Sequence, residues 1–279
     1  MEHGVGPSKL RAAHLGRWAA RATVTLVLTA TTADTIGRAA TDNDFWQPPA
    51  GSTFQLQLQG HIDVSYEAAV YDIDMFDTPR SVIAELHEMG RHVVCYVSAG
   101  SYERWRPDAD DFPREVLGQG LAGWPGERWL DIRKLKLLRP IMNSRVRMCA
   151  RKGFDGIDFD NVDGFTNETG FSLTKRDQLR YLRFLARTAH ARGLAAGLKN
   201  LPQLVRELEP RWQFAVNEQC FQYDECEEYL AFIEAGKPVF NIEYSLEVES
   251  FCPQANEWGF TSQRKDRDLS ADREACWPA

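Results

Sequence analysis

The sequence lacks an apolar run long enough to cross a membrane. A spanning helix needs roughly 20 consecutive apolar residues, whereas the apolar stretch near the N-terminus covers only residues 22–33. The chain also lacks an excess of basic residues, because 33 Lys and Arg stand against 40 Asp and Glu and give a net charge of -7. Nucleic-acid binding depends on clustered Lys and Arg that neutralise phosphates. We therefore expect neither a nucleic-acid partner nor a membrane-embedded fold.

The motifs of common cofactor and metal sites are missing as well. The sequence contains no GxGxxG and no GxxxxGK[ST], the glycine-rich loops that bind nucleotide phosphates. It also contains no CxxC pair and no HExxH, the usual zinc motifs. We therefore expect no cofactor and no bound metal. What remains is an ordinary composition for a folded, soluble protein, with 43% hydrophobic and 26% charged residues.

Residues 1–40 are typical of an export signal followed by a flexible leader. Lys9, Arg11, Arg17 and Arg21 precede the apolar stretch, and small residues follow it. That order of features defines a signal peptide, although a short buried helix is the alternative. The pattern predicts a secreted protein whose mature part, residues 41–279, forms one domain.

Six cysteines, an even number, fit an oxidising compartment. Cys220 and Cys226 are close in sequence and are the best candidates for a local disulfide. Cys252 and Cys276 could close a C-terminal loop. Cys95 lies inside the apolar run HVVCYV, so we expect it to be a buried small hydrophobe.

Short β-rich runs alternate with amphipathic helical stretches from about residue 53 onward. This alternation is typical of parallel βα units. The pattern predicts an α/β fold and a single-domain (β/α)8 TIM-type barrel. A doubly wound sheet is the alternative, but the missing nucleotide motifs count against it. The predicted strands are FQLQLQ, AAVYDID, HVVCYVS, GIDFD, LAAGLK, FAVNE, PVFNIEY and a weaker WGFTSQ.

Three longer helices are predicted between these strands, at residues 79–89, 138–152 and 174–192. Each is followed by or ends beside a glycine, the usual stop signal. Thr174 and Asp177 resemble a capping box at the start of the third helix, with Asp in place of the usual Glu.

Polar residues of the kinds that active sites use follow six of the predicted strands. In a barrel of parallel strands, the carboxyl ends of the strands meet at one mouth, and catalytic groups gather there. We therefore expect a site at this mouth. Its candidate residues are Asp72, Asp74, Ser98, Asp158, Asp160, Asn161, Asp163, Lys199, Asn200, Asn217, Glu218, Glu243 and Tyr244.

Asp160 and Glu218 are the candidate catalytic residues. Asp158 and Asp160 are two residues apart, so both project to one side of their strand, with Asp160 nearer the mouth. Glu218 lies at the end of FAVNE, the second predicted strand after the one that carries Asp160. It can therefore approach Asp160 across the opening. Two facing carboxylates are what glycosidic cleavage needs: one protonates the leaving oxygen, and the other attacks the sugar or activates water.

Other readings of these acidic residues stay open. Any single Asp at a strand end could instead hold a loop or pair with Lys199. Asp158, Asp160 and Asp163 also form DxDxxD, whose oxygens could ligate calcium or magnesium. Aromatic residues in the neighbouring loops favour a carbohydrate cleft, because flat rings stack on sugar faces, although ordinary loop packing would explain each one singly. These aromatic residues are Tyr102, Trp105, Trp124, Trp129, Phe165, Phe171, Tyr223 and Tyr244.

Several longer motifs, in order, resemble one enzyme family over the chain from about residue 54 to residue 243. The motifs are YDID, CYVSAGSYERWRPD, GWPGERWLDIR, KGFDGIDFDNVDGF, GFSLTKRDQLRYLRFLA, GLKN and NEQCFQYDEC. They resemble glycoside hydrolase family 114, the endo-α-1,4-polygalactosaminidases.

The resemblance implies a barrel that hydrolyses internal α-1,4 links in galactosamine-containing polysaccharide. It places Asp160 and Glu218 at the family's catalytic positions. It also places Asp72, Asp74, Asn161, Asp163, Lys199 and Asn200 at positions that line the family's cleft. We expect a secreted monomer that needs no cofactor. A secreted sugar-binding barrel without turnover and a metal-dependent hydrolase that uses DxDxxD are the competing hypotheses.

Overall fold

The computed structural model describes residues 45–277. Its strands are β1 (Phe54–Gln57), β2 (Val70–Asp74), β3 (His92–Ser98), β4 (Ser101–Glu103), β5 (Leu117–Gly120), β6 (Glu127–Leu130), β7 (Gly156–Asp160), β8 (Ala195–Lys199), β9 (Phe214–Glu218), β10 (Val239–Glu243), β11 (Thr261–Arg264) and β12 (Glu274–Ala275). Its helices are α1 (Arg80–Glu88), α2 (Leu135–Lys152), α3 (Lys175–His190), α4 (Val205–Leu208), α5 (Leu230–Glu234) and α6 (Val248–Trp258). The predicted leader, residues 1–40, lies outside the described residues.

Eight parallel strands form the barrel, in the order β1-β2-β3-β7-β8-β9-β10-β11, and β12 pairs antiparallel with β11. The segment around β12 then reaches the first strand. The Arg273 guanidinium donates to the carbonyl oxygen of Phe54 at 2.5 Å, and the Leu58 amide donates to the carbonyl oxygen of Leu269 at 2.9 Å. The predicted TIM-type α/β fold is confirmed, and each of the eight predicted strands is present.

Aromatic side chains fill the interior of the barrel at the amino ends of its strands. The rings of Phe54 and Phe240 lie 4.8 Å apart, and those of Phe214 and Phe240 lie 5.8 Å apart. Gly197 makes room for this packing, because an added Cβ there would lie 2.1 Å from the Phe214 ring. Because the amino ends are filled by apolar side chains, polar side chains inside the barrel lie at the carboxyl ends of the strands.

The predicted helices are present with small shifts at their ends. The capping box of α3 is confirmed: the Thr174 hydroxyl accepts from the Asp177 amide, and the Asp177 carboxylate accepts from the Thr174 amide. Two orphan backbone groups are thereby paired at the start of the helix. Helix α2 begins at Leu135, three residues before the predicted start. Within residues 45–277, no helix combines the length and the apolar composition that a membrane crossing requires.

Three disulfides connect the six cysteines. Cys220–Cys226 and Cys252–Cys276 are confirmed as pairs. Cys95 is buried as predicted, and it is bonded to Cys149, a pair that the sequence did not indicate. Cys95 lies on the outer face of β3, and the buried face of α2 brings Cys149 to a Cα–Cα distance of 6.0 Å from it. This disulfide ties a helix to the strand beneath it.

A small sheet over the barrel mouth is an element that the strand pattern did not predict. Strands β4, β6 and β5 pair antiparallel in that order within the long connection after β3. We call this three-stranded sheet the cap. Its short strands carry no clear alternation of apolar and polar residues, which is why the sequence pattern concealed it.

Candidate active site

A cavity of about 1180 Å³ lies between the barrel mouth and the cap. Its floor is formed by residues at the carboxyl ends of β2, β3, β7, β8 and β9, and its walls come from the cap and from the loop before β12. Among the predicted site residues, Asp74, Asp160, Asn161, Asp163, Lys199, Asn200 and Glu218 line it. The cavity therefore occupies the place where barrel enzymes carry out their chemistry.

A buried lysine lies between the candidate catalytic carboxylates. The Lys199 Nζ atom is 3.3 Å from Asp158 Oδ2, 3.7 Å from Asp160 Oδ1 and 3.6 Å from Glu218 Oε2. The Lys199 side chain is only 2% exposed. Burial lowers the pKa of Lys199, but the three carboxylates outweigh it and hold that pKa well above its usual value. Lys199 is thus a fixed positive charge at the centre of three carboxyl groups.

Tyrosine and asparagine side chains orient the two carboxylates. The Tyr96 hydroxyl donates to Asp160 Oδ2 at 2.5 Å. The Tyr244 hydroxyl donates to Glu218 Oε1. Asn200 donates to Glu218 Oε2 at 3.4 Å, and its own oxygen accepts from the Glu218 amide at 2.9 Å. Each carboxylate keeps contact with the cavity, since the Asp160 and Glu218 side chains are 14% and 24% exposed.

The backbone turns sharply where the site strands end. Asn161, Asn200 and Gln219 have φ values of 58°, 52° and 65°, in the left-handed region. Such strained residues persist where the surrounding structure holds them, and they are concentrated at functional sites. Close packing accompanies the turn after β7, because a Cβ added to Gly100 would lie 1.6 Å from the carbonyl oxygen of Asn161.

Asp72 and Asp158 form a second carboxyl pair beneath the cavity floor. Both are buried, at 3% and 0% exposure. Burial raises the pKa of Asp72 well above its usual range, and the neighbouring Asp158 raises it further. Burial also raises the pKa of Asp158, against the opposing effect of Lys199. These shifts favour a protonated Asp72, so the two groups together carry fewer than two negative charges beneath Lys199.

Other predicted residues anchor loops at the rim. Asp74 accepts from Arg106 at 2.6 Å and from the amides of Phe76 and Asp77. Asp163 accepts from Asn167 at 2.9 Å. Within residues 45–277, no group of three or more His, Cys, Asp or Glu side chains is arranged to hold a metal ion.

A hydroxyl network extends from the turn after β7 to the cap. Asn161 donates to the hydroxyls of Ser98 and Ser101 at 3.0 and 3.2 Å. The two hydroxyls lie 2.6 Å apart, and Ser101 donates to Glu127 at 2.7 Å.

Two predicted binding residues lie away from the cavity. Asn217 and Glu243 are 1% and 0% exposed and face the outside of the barrel. Asn217 donates to the Tyr229 hydroxyl at 2.9 Å, and Glu243 accepts from the Phe221 amide at 2.9 Å. Because side chains alternate along a strand, Asn217 cannot share a face with Glu218. We therefore omit both from the proposed sugar contacts.

Several cavity residues were missing from the sequence prediction. Tyr96 is one, although its spacing of two from Ser98 places both on the inner face of β3. Arg106, which follows β4, and Glu127 on β6 are others. Trp105 and Trp124 were predicted only as loop aromatics; they line the cavity and are 51% and 50% exposed.

Two carboxylates on either side of one buried cation, in the mouth of an α/β barrel, can carry out acid–base or nucleophilic cleavage of a glycosidic bond. This fold and site define the class of the protein as a glycoside hydrolase. Within that class, the chain belongs to glycoside-hydrolase family GH114, whose sequence profile matches residues 35–278.

Solved structures agree with this assignment. Ega3 of Aspergillus fumigatus, solved in complex with galactosamine, is 42% identical with a TM-score of 0.79, over 83% of this chain and 97% of that one. The glycoside hydrolase domain of PelA from Pseudomonas aeruginosa shares the fold at 14% identity, with a TM-score of 0.64, over 80% of this chain and 98% of that one. A comparison with curated protein sequences gave no significant match.

The variant Asp163→Asn is expected to gain stability over the native chain as pH rises. Burial and the charge of Asp160 raise the pKa of Asp163 to about 6. The folded native chain therefore holds this proton where the unfolded chain has lost it, and its free energy of unfolding falls as pH rises from about 4 to 6. We expect the difference in Tm, variant minus native, to be more positive at pH 7.5 than at pH 5. The exposed variant Asp110→Asn is the control, and an equal difference at both pH values would contradict the prediction.

Proposed function

We propose that the chain hydrolyses internal α-1,4-galactosaminidic links in galactosamine-containing polysaccharide. The observation that carries the proposal is the placement of Asp160 and Glu218 on either side of Lys199. One carboxyl group protonates the leaving oxygen, and the other attacks the anomeric carbon or activates water. Similarity to Ega3, which was solved with galactosamine, supports the choice of sugar.

The charge of the cavity also supports an amino-sugar substrate. Asp74, Glu103, Asp163 and Glu127 add to the catalytic pair, while the cationic side chains among the lining residues are Arg106, Lys199 and Arg267. A cavity lined mainly by carboxylates attracts a cationic ligand. Galactosamine units carry an ammonium group when they are not acetylated.

The size of the cavity supports attack within a polymer. At about 1180 Å³ it exceeds the roughly 300–1,000 Å³ of pockets that enclose small ligands. The two half-exposed tryptophans, Trp105 and Trp124, lie at its rim and offer flat faces to sugar rings. A chain that passes through the cavity would be cleaved at an internal link.

Secretion and a monomeric state are part of the proposal. The three disulfides suit an oxidising compartment, and the basic-then-apolar leader in the sequence is typical of an export signal. In residues 45–277, the exposed large hydrophobic side chains are Met89, Trp105, Trp124 and Tyr223. Two of these line the cavity, so they are explained by a sugar ligand without a partner subunit.

Digestion of purified α-1,4-galactosaminogalactan tests the proposal. The polymer is tested before and after partial deacetylation. We expect the native chain to release short oligosaccharides of mixed sizes from it, which mass spectrometry detects. Chitosan, a cationic polymer with β-1,4 links, is the matched control and should stay intact. Binding of the polymer without product release would instead indicate a sugar-binding barrel. Loss of cleavage on adding a chelator would favour the metal-dependent alternative.

A further inference from the structure

Helices α2 and α3 carry a large share of the positive charge of this acidic protein. Together they hold 11 of the 33 Lys and Arg residues but only one of the 40 Asp and Glu residues. Nine of these cations are exposed, and we call them the basic face: Lys136, Arg139, Arg147, Arg151, Lys175, Arg176, Arg180, Arg183 and Arg187. Because the whole chain has a net charge of -7, its positive and negative charges are separated on the surface.

Four arginines of the basic face form a row along α3. Their positions differ by four, three and four residues, a spacing that places side chains on one face of a helix; they are Arg176, Arg180, Arg183 and Arg187. The row is about 16 Å long, because each residue adds about 1.5 Å to a helix. Like charges at this spacing destabilise a helix. The row therefore carries a repulsion that an external anion would relieve.

Helix α2 adds a second group of cations beside this row. Arg139 extends from α2 over the ring of Phe184 on α3, with its guanidinium carbon 4.9 Å from the ring centre. On α2 the other exposed cations are Lys136, Arg147 and Arg151, and they lie on the side away from the buried residues of that helix. The exposed sides of the two helices thus form one continuous basic surface.

Most cations of the basic face have no acidic partner in residues 45–277. In this part of the chain two of the nine form an ion pair, Lys175 with Glu207 and Arg180 with Asp177. The other seven form neither an ion pair nor a side-chain hydrogen bond there, and six of them are arginines. A guanidinium group has five donors and can make two parallel hydrogen bonds to one carboxylate. The basic face is therefore equipped to bind a ligand with several carboxylates.

The spacing of the row on α3 indicates which polyanion fits. Successive arginines rise about 4.5–6 Å along the helix axis, close to the length of one sugar unit in a linear polysaccharide. Duplex DNA is denser, with one negative charge per roughly 1.7 Å of its axis, and the acidic remainder of the chain would repel it. Helices that lie on membranes bury apolar side chains, but the exposed large hydrophobic side chains of residues 45–277 are on neither helix.

We propose that the basic face binds a polyuronate, a linear polysaccharide with one carboxylate on each sugar. The carboxylates accept from the guanidinium groups of the row, and counterions released from the polymer add to the affinity. The acidic cavity opens at the barrel mouth, whereas the basic face covers the outer sides of α2 and α3. One chain can therefore hold an anionic polysaccharide on its side while its cavity stays free. This inference goes beyond the proposed function and does not depend on which link the cavity cleaves.

Calorimetric binding of polygalacturonate, a linear polyuronate, tests the inference. The triple variant Arg176→Gln, Arg183→Gln, Arg187→Gln removes three cations of the row and keeps residues that favour helix. We expect its Kd at low ionic strength to rise about 10- to 100-fold, because three charge-assisted contacts are lost. The dependence of log Kd on log salt concentration should also become shallower by about two.

The matched control makes the same change of charge at scattered positions. It is the triple variant Arg80→Gln, Arg114→Gln, Arg211→Gln, whose three arginines are exposed and lie outside α2 and α3. Its Kd for polygalacturonate should stay near that of the native chain. An equal rise in Kd for both triple variants would show an effect of net charge alone and would overturn the inference.

Thermal unfolding separates binding from a structural role of the row. The substitutions on α3 remove repulsion between like charges, so we expect a Tm equal to or above that of the native chain. Release of oligosaccharides from galactosaminogalactan should be unchanged, because the row lies outside the cavity. A marked drop in Tm would show that the row serves the fold and would overturn the inference.

Other polyanions decide the class of the partner. Duplex DNA and vesicles of phosphatidylglycerol should bind more weakly than polygalacturonate at the same ionic strength. Tighter binding of either one, or no binding of polygalacturonate at low ionic strength, would overturn the inference. If the native chain binds polygalacturonate through the row but cleaves no polymer, the proposed function fails and the inference stands. If it cleaves the polymer and the α3 variant binds polygalacturonate as tightly as native, the inference fails and the proposed function stands.

Discussion

The variants Asp160→Asn and Glu218→Gln are each expected to lower kcat on α-1,4-galactosaminogalactan by about 10²–10⁴-fold or more. Each change is isosteric but removes either the proton donor or the nucleophile or base. The hydrogen bonds from Tyr96 and Tyr244 can still form, because an amide oxygen also accepts. Initial rates of oligosaccharide release measure the effect.

The control for this pair is Glu228→Gln, an exposed glutamate in the connection that follows β9. It should keep native activity, and all three variants should unfold at temperatures near that of the native chain. If either active-site variant kept activity within about tenfold of native, that carboxylate would not be one of the catalytic two. For the native chain, the anomeric configuration of the first product shows whether the second carboxylate attacks the sugar or activates water.

The variant Lys199→Met is expected to lose both activity and stability. Lys199 is buried within 3.7 Å of oxygens from Asp158, Asp160 and Glu218, so its removal leaves three carboxylates without their shared cation. Breaking a buried ion pair from one side costs about 3–5 kcal/mol. Without the positive charge the remaining carboxylates repel one another inside the site, and no cation holds Asp160 and Glu218 in their present positions. We expect kcat at neutral pH to fall about 100-fold or more.

The pH dependence distinguishes this electrostatic effect from simple loss of packing. The stability of Lys199→Met, relative to native, should be lower at pH 8 than at pH 5, because protonation at pH 5 relieves the repulsion. The control is Lys152→Met, which removes a lysine that donates to the carbonyl oxygens of Met75, Phe76 and Thr78. A stability loss that is equal at both pH values would contradict the electrostatic role.

The regular part of the fold could be predicted from local pattern alone. Each barrel strand is a β-rich run bounded by polar residues, and each long helix has apolar spacing and an end signal such as Gly153. The cap could not be predicted in this way. Its strands are three or four residues long and are held by antiparallel pairing with each other, so the register is a property of the folded chain.

The candidate site shows the same division at the level of single residues. The position of Asp160 and Glu218 at strand ends follows from the sequence because parallel strands share one mouth. Strict alternation could also have excluded Asn217 and Glu243, since their neighbours Glu218 and Tyr244 face inward. The partner of Cys95 could not be found, because Cys149 meets it only when α2 packs on β3.

By itself, the sequence determined the α/β barrel, the order of its strands and the carboxylate pair at its mouth, because these depend on local periodicity and on which residue ends each strand. Tertiary structure alone decided that one buried lysine, Lys199, lies within 3.7 Å of Asp158, Asp160 and Glu218. It also decided that Glu103 and Glu127 are opposite each other on neighbouring strands of the cap. Distances between groups far apart in the chain are set by packing, and electrostatic interaction depends on those distances and on burial.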